Sequence, residues 1–222
     1  MPELKKILAG LKAYNGEPEL PPAKGLFELV VWENSVYLLP DERRAEVFAT
    51  LRERVGLTAQ AMQDAAQDVL LEIAGRGGMR PETRVFRWRE IARITLSQFD
   101  GDLDSVLSLP YTAAKKVLKQ FPTIGDPGAE KILMFCGVAQ GLPLESNGLR
   151  VLTRIGYGRE QKSYGAMYKS VQDAIAGELP KGASPLSQAH LLLREHGKDM
   201  CRRVSPACKS CPIQKLCNYE WK

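Results

Sequence analysis

Four of the five cysteines in this 222-residue chain lie at its C-terminal end, as Cys201, Cys208, Cys211 and Cys217 in the spacing C-x6-C-x2-C-x5-C. Loops this short let four thiolates converge on one centre, as a tetrahedral zinc ion or a cubane iron–sulfur cluster requires. Spacing alone leaves both open. In a reducing compartment such crowding argues for ligation over disulfides. The fifth, Cys136, falls in an apolar helical stretch and reads as a small buried hydrophobe.

A second group is built from turn residues. Phe121-Pro122-Thr123-Ile124-Gly125-Asp126-Pro127-Gly128-Ala129 separates two amphipathic stretches. A tight turn of this kind exposes backbone N–H groups at a helix N-terminus, where they and the helix dipole can hold a phosphate. Asp126 reads as an N-cap, with Pro127 at the first helical position. Lys131 follows one turn later as a phosphate contact or a solvated charge.

Two carboxylates complete the set. Glu33 and Asn34 interrupt an otherwise apolar run from 27 to 38, so they must be hydrogen-bonded or face a cleft. Glu145 stands just before an expected helix, where a carboxylate also serves as a dipole partner.

The elements that must position these residues are helical nearly throughout, because apolar residues recur at three- and four-residue spacing with no sustained alternation. Helices are expected over 3–14, 26–38, 41–55, 59–74, 85–98, 103–108, 111–120, 128–140, 147–155, 164–178 and 185–196, so the fold class is all-α. Their ends carry glycine and proline punctuation, as at Gly56, Gly101, Pro110 and Gly156. No 20–50-residue repeat suggests a solenoid. The proline-containing stretch 16–24 reads as a linker or surface loop.

Composition fits a globular protein: 44% hydrophobic, 26% charged and 7% aromatic. A chain of this size buries roughly 70% of its unfolded surface. Net charge is +5, unevenly spread: residues 1–105 carry 14 basic and 17 acidic groups, residues 106–222 carry 17 and 9. The basic half contains the turn, Glu145 and the cysteines, and makes a polyanion partner reasonable. No apolar stretch is long enough for a membrane span, and the start lacks a signal-peptide core, so a cytoplasmic setting is expected.

The cysteine spacing, with His196-Gly197-Lys198 before it, Pro212 after Cys211 and Leu216-Cys217 near the end, resembles the C-terminal loop of the endonuclease III family of DNA glycosylases. The turn resembles the helix-hairpin-helix of that superfamily: Pro122, Ile124, Gly125 and Ala129 match, while Thr123 replaces a glycine. The resemblance runs over most of the chain and is strongest from Phe121 onward.

It implies a [4Fe-4S] cluster on Cys201, Cys208, Cys211 and Cys217, pinning a basic loop whose Arg202, Arg203 and Lys209 reach phosphates. It implies a helical bundle over 22–133 containing the hairpin, and a second domain of 1–21 plus 134–222 with the cluster loop at 201–217. Double-stranded DNA would lie across the cleft between them, with a damaged or mispaired base flipped out. Thr123, Gly125, Gly128, Ala129 and Lys131 would form the hairpin's DNA contact.

Where endonuclease III carries its Schiff-base lysine this chain has Pro127, which cannot act as an amine nucleophile. Where the family has an aspartate it has Glu145, a stabiliser of the oxocarbenium-like sugar or a water activator. Glu33 falls near the glutamate that protonates the leaving base in adenine glycosylases, and burial would raise its pKa. Leu38 falls near the glutamine wedge that fills the gap left by a flipped base. The implied activity is that of a monofunctional, monomeric DNA glycosylase of base-excision repair, nucleoid-associated in a bacterium or archaeon. A DNA-binding protein of the same fold without chemistry and an iron–sulfur redox carrier are the alternatives.

Overall fold

The computed structural model describes residues 2–219, and all regular structure among them is helical. In chain order the helices are α1 (Leu4–Asn15), α2 (Gly25–Glu33), α3 (Asp41–Arg54), α4 (Ala59–Asp64), α5 (Gln67–Arg76), α6 (Pro81–Phe99), α7 (Tyr111–Leu118), α8 (Asp126–Phe135), α9 (Ser146–Ile155), α10 (Tyr164–Ile175) and α11 (Ala183–Asp199). Short 3-10 turns occupy Leu103–Ser108, Ala176–Glu178, Cys208–Ser210 and Gln214–Leu216. The chain divides into two compact units, Pro21–Cys136 and Met1–Leu20 with Gly137–Lys222. No described helix is long and apolar enough to cross a membrane.

The unit over 21–136 is built around α2 and α6. Leu26, Leu29, Val30, Val31 and Trp32 are all buried, as expected of a helix apolar over most of its circumference, and its two carboxylates, Glu28 and Glu33, are ion-paired. Trp32 meets Phe48 of α3 edge-on at 5.3 Å, and Arg44 and Arg52 lie over the two rings.

α2 stops at Glu33, short of the expected 38, because side chains satisfy its last carbonyls. The Asn34 amide donates to Val30 O at 3.0 Å and the Ser35 hydroxyl to Val31 O at 2.8 Å. The helix expected over 59–74 breaks into α4 and α5. There the Arg89 guanidinium collects the carbonyls of Met62, Gln63 and Ala65, satisfying groups that helix continuation would have used. α8 begins two residues before the expected 128 and one before the Asp126 cap would place it, with Gly125 as N-cap, Asp126 at the first position and Pro127 at the second, and it ends at Phe135, short of the expected 140.

Two loops of this unit are stitched together. Tyr37 N donates to Gly77 O at 3.2 Å. A Cβ on Gly77 would stand 2.5 Å from Ser35 O, so only glycine permits the approach. Beneath them Arg84, 4% exposed, donates to the carbonyls of Ala74, Gly78 and Met79.

In the other unit α11 packs chiefly on α9 and also on α1. The α9–α11 approach is close: a Cβ on Gly197 would lie 2.6 Å from Asn147 O. Ile213, from the cysteine loop, is buried against Gly10 of α1. Thus α9 and α11 form the frame on which the cysteine loop and Glu145 are both mounted.

Candidate functional site

The C-terminal loop leaves α11 after Asp199, is tied back to it by the His196 carbonyl, which accepts from Cys201 N at 2.7 Å, and returns through two 3-10 turns. Cys201, Cys208, Cys211 and Cys217, all half-buried, line one cavity of about 220 Å³ with His196, Met200 and Ile213. Burial raises the thiols of Cys211 and Cys217 above the usual range. Among the described residues no three His, Cys, Asp or Glu side chains are gathered tightly enough to hold a single metal ion. Four thiols spread around one cavity fit a polynuclear iron–sulfur centre in donor chemistry and in room. Cys136 is half-buried at the end of α8, with its thiol pushed up to about 12 by burial.

Glu145 caps α9. Its Oε1 accepts from Gly148 N at 2.7 Å, and its Oε2 from Asn147 Nδ2 at 2.9 Å. From there a chain of hydrogen bonds runs to the cysteine loop. Asn147 Oδ1 accepts from Arg150 at 2.7 Å, and Arg150 also donates to Gly197 O at 2.7 Å and Cys201 O at 2.9 Å. One turn further along α9, Arg154 donates to the carbonyls of Arg202 and Arg203 and stacks over Tyr219, 4.4 Å from the ring centroid. These arginines therefore hold the loop by its backbone, while the side chains of Arg202, Arg203 and Lys209 remain exposed.

In the hairpin Thr123 adopts φ +65°, a left-handed backbone unusual for a β-branched residue and natural for the glycine it replaces. Asn34 offsets the strain. It accepts from the Thr123 hydroxyl at 3.0 Å and donates to Pro122 O at 3.1 Å. Asn34 is 3% exposed, which explains why a polar residue interrupts the apolar helix.

Gly125 is exposed and Gly128 half-buried, but Ala129 is buried and its N–H donates to Gly125 O. The amide of Ala129, expected at a phosphate, thus serves the first turn of α8. Asp126 sits at the N-terminal end of α8 between Lys119 at 2.7 Å and Lys115 at 3.1 Å.

Glu33 lies in an ion-pair network. Its Oε2 is 2.8 Å from Lys131 Nζ and its Oε1 is 4.0 Å from Arg44. Lys131, expected at a phosphate, is in the same pair.

Leu38 is 80% exposed with φ +55°. Beside its loop, Met79 is 66% exposed on the loop that Arg84 supports. Sequence reasoning passed over Met79 and also Arg150, Arg154 and Asn147. The signal available for Met79 was an apolar residue in a Gly-Gly-Met-Arg-Pro turn, where no core position is possible.

The arrangement is an all-α helix-hairpin-helix fold with a C-terminal four-cysteine loop. No family model matches the chain. It is 24% identical over 184 residues to endonuclease III of Sulfolobus acidocaldarius, covering 81% of this chain and 75% of that one. It is 25% identical over 208 residues to the chloroplastic endonuclease III homolog 1 of Arabidopsis thaliana, covering 91% of this chain but 52% of the plant protein. Among solved structures, a trapped endonuclease III–DNA covalent intermediate matches with TM-score 0.73 at 18% identity over 98% of this chain and 97% of that one. A thermostable thymine-DNA glycosylase matches with TM-score 0.75 at 14% identity over 97% and 95%. The chain is thus similar in sequence to these endonuclease III proteins and in fold to these solved structures.

Proposed function

We propose that this chain is a DNA N-glycosylase of base-excision repair that releases a damaged or mispaired base from duplex DNA by hydrolysis, with little or no Schiff-base lyase activity. The observation that carries the reading is the Glu145 carboxylate, fixed at the start of α9 by Gly148 N and Asn147 Nδ2. Each oxygen of a carboxylate has more than one acceptor position. Glu145 can therefore keep both bonds while it orients a water and faces the cationic sugar that forms as the base leaves. The solved structures of similar fold, an endonuclease III–DNA covalent intermediate and a thymine-DNA glycosylase, favour the same substrate class.

Pro127 supports the hydrolytic branch. It has no amine to attack C1′, and the one lysine further along α8, Lys131, is engaged by Glu33. Glu33 thus enters chiefly as the anion that holds Lys131 and Arg44. Proton delivery to the leaving base by Glu33 requires that the Lys131 pair open.

DNA would be held by the exposed amide end of the hairpin at Thr123, Gly125 and Gly128, and by Arg202, Arg203 and Lys209. Leu38 and Met79 are apolar tips suited to replace a flipped base in the stack. Cys201, Cys208, Cys211 and Cys217 would hold a [4Fe-4S] cluster, which supplies a covalent anchor for the basic loop when bound.

The test is a screen of duplexes carrying uracil, thymine opposite guanine, oxidised pyrimidines, 8-oxoguanine or alkylated purines, read with and without alkali. Strand breaks that need alkali, with no borohydride-trapped protein–DNA adduct, are expected. Absence of abasic product across the panel while duplex binding persists would overturn the reading in favour of a binding protein. Iron and sulfide content near four per chain tests the cluster, and stoichiometric zinc would exclude it.

A further inference from the structure

We infer that Tyr164, Gln172 and His190 form a cradle that positions Glu145 for base excision, an inference that rests on the reading of Glu145 given above. The segment leading into Glu145 has no regular structure, yet Leu142, Pro143 and Leu144 are all buried. Buried carbonyls must find donors, and here a different side chain supplies each one. Gln172 Nε2 donates to Leu142 O at 2.5 Å, His190 Nδ1 to Pro143 O at 2.7 Å, and the Tyr164 hydroxyl to Leu144 O at 2.9 Å. The carbonyl of Glu145 itself accepts from Leu149 N at 2.9 Å. Four consecutive carbonyls are therefore fixed.

The three side chains come from two helices, Tyr164 and Gln172 from α10 and His190 from α11. A carbonyl can only accept, so His190 carries its proton on Nδ1. The effect is to set the Cα of Glu145 from the backbone side, while Gly148 N sets its carboxylate from the helix side. Glutamate is one methylene longer than the aspartate of the resembling family. The bond to Gly148 N folds that extra length back over the start of α9. With both ends fixed, the carboxylate has one place to stand, and a shift of about 1 Å at such a group can cost about a hundredfold in rate. Tyr164, Gln172 and His190 are positioning residues in this scheme, since they act through Glu145.

Tyr164 is the most direct probe, because it is partly exposed and stacked on Tyr168 at 6.1 Å between centroids. Replacing it by phenylalanine removes the hydroxyl and keeps the ring. The experiment compares wild type, Tyr164→Phe, Gln172→Leu, Glu145→Gln and Tyr164→Phe/Glu145→Gln. Single-turnover excision is read on the panel duplex that wild type cleaves fastest, binding on a tetrahydrofuran abasic-site duplex, and amide exchange at Gly148.

The expected result for Tyr164→Phe is an excision rate about 10- to 100-fold lower, with abasic-duplex Kd unchanged, Tm lower by about 2–4 °C for the one lost hydrogen bond and Gly148 exchange accelerated. In the Glu145→Gln background it should cost nothing further. An excision rate within twofold of wild type, with Gly148 exchange unmoved, overturns the cradle. Wild type that excises nothing from the panel overturns the proposed function instead, and Gly148 exchange in Tyr164→Phe then decides the cradle alone: acceleration sustains it and no change removes it.

Discussion

The hydroxyl of Thr123 donates to the side-chain oxygen of Asn34 across 3.0 Å, tying the turn of the hairpin to the end of α2. The same asparagine donates onward to Pro122 O, so one buried amide holds both sides of the turn. A threonine in a left-handed backbone is stable there because its hydroxyl has somewhere to go.

Asn34→Ala should therefore loosen the hairpin. Leaving Pro122 O and the Thr123 hydroxyl without this partner costs about 1–3 kcal/mol, and DNA affinity should fall with the urea midpoint. Adding Thr123→Gly removes the need for the bond and the backbone strain together, so the double variant should recover part of both losses. A double variant no better than Asn34→Ala alone would show that the hydroxyl bond is incidental.

Asn147→Ala cuts the chain from Glu145 to Arg150. Glu145 loses the donor on Oε2 and Arg150 an acceptor, while the bonds from Arg150 to Gly197 O and Cys201 O remain. Excision should drop at least about tenfold, on the scale of about 1 Å misplacement, with iron content preserved. Loss of iron in parallel with activity would place Asn147 in the loop's scaffold instead.

Arg202 and Arg203 should govern the salt dependence of DNA binding. Each phosphate contact contributes about 0.9 to the slope of log K against log salt, so the double alanine variant should flatten it by roughly 1.8. Lys131→Ala should behave differently, because Lys131 sits in the pair with Glu33. It should lower Tm and leave the slope nearly unchanged. Equal flattening by Lys131→Ala would mean that the pair opens when DNA binds.

Hydrogen bonds from Lys119 and Lys115 hold the Asp126 carboxyl below its ordinary 3.8. A depressed acid stabilises the fold above its unfolded pKa and loses that contribution as pH falls through the lower folded value. Asp126 is largely exposed, so solvent screening keeps the effect small. Asp126→Asn should accordingly be slightly less stable than wild type at neutral pH, with a shallower acid dependence that closes the difference as pH falls below about 4. A difference at pH 7 of the same size as at pH 3 would assign the effect to packing.

What could be read in the sequence was what depends on near neighbours. The cysteine loop, the Pro122–Gly128 turn and the helical period each lie within a few residues. What depends on distant partners could not be read. Asn34 had to be hydrogen-bonded or face a cleft, and its partner Thr123, which decides for the hydrogen bond, lies 89 positions away. The break between α4 and α5 is made by Arg89 on another helix, and the ion pairs of Glu33 with Lys131 and Arg44 join positions far apart in the chain. The cradle on residues 142–144 had no local signature, since its donors are ordinary residues on later helices.

Leu38 and Met79 ride on loops joined by the Tyr37–Gly77 hydrogen bond and supported by Arg84. The two tips therefore behave as the tines of one fork and cannot be retuned separately. A change at Gly77, which touches neither tine, would spread them by pushing on Ser35 O. Natural variation in this part of the molecule should then show Leu38 and Met79 exchanging for other apolar residues freely, while the handle beneath them stays fixed.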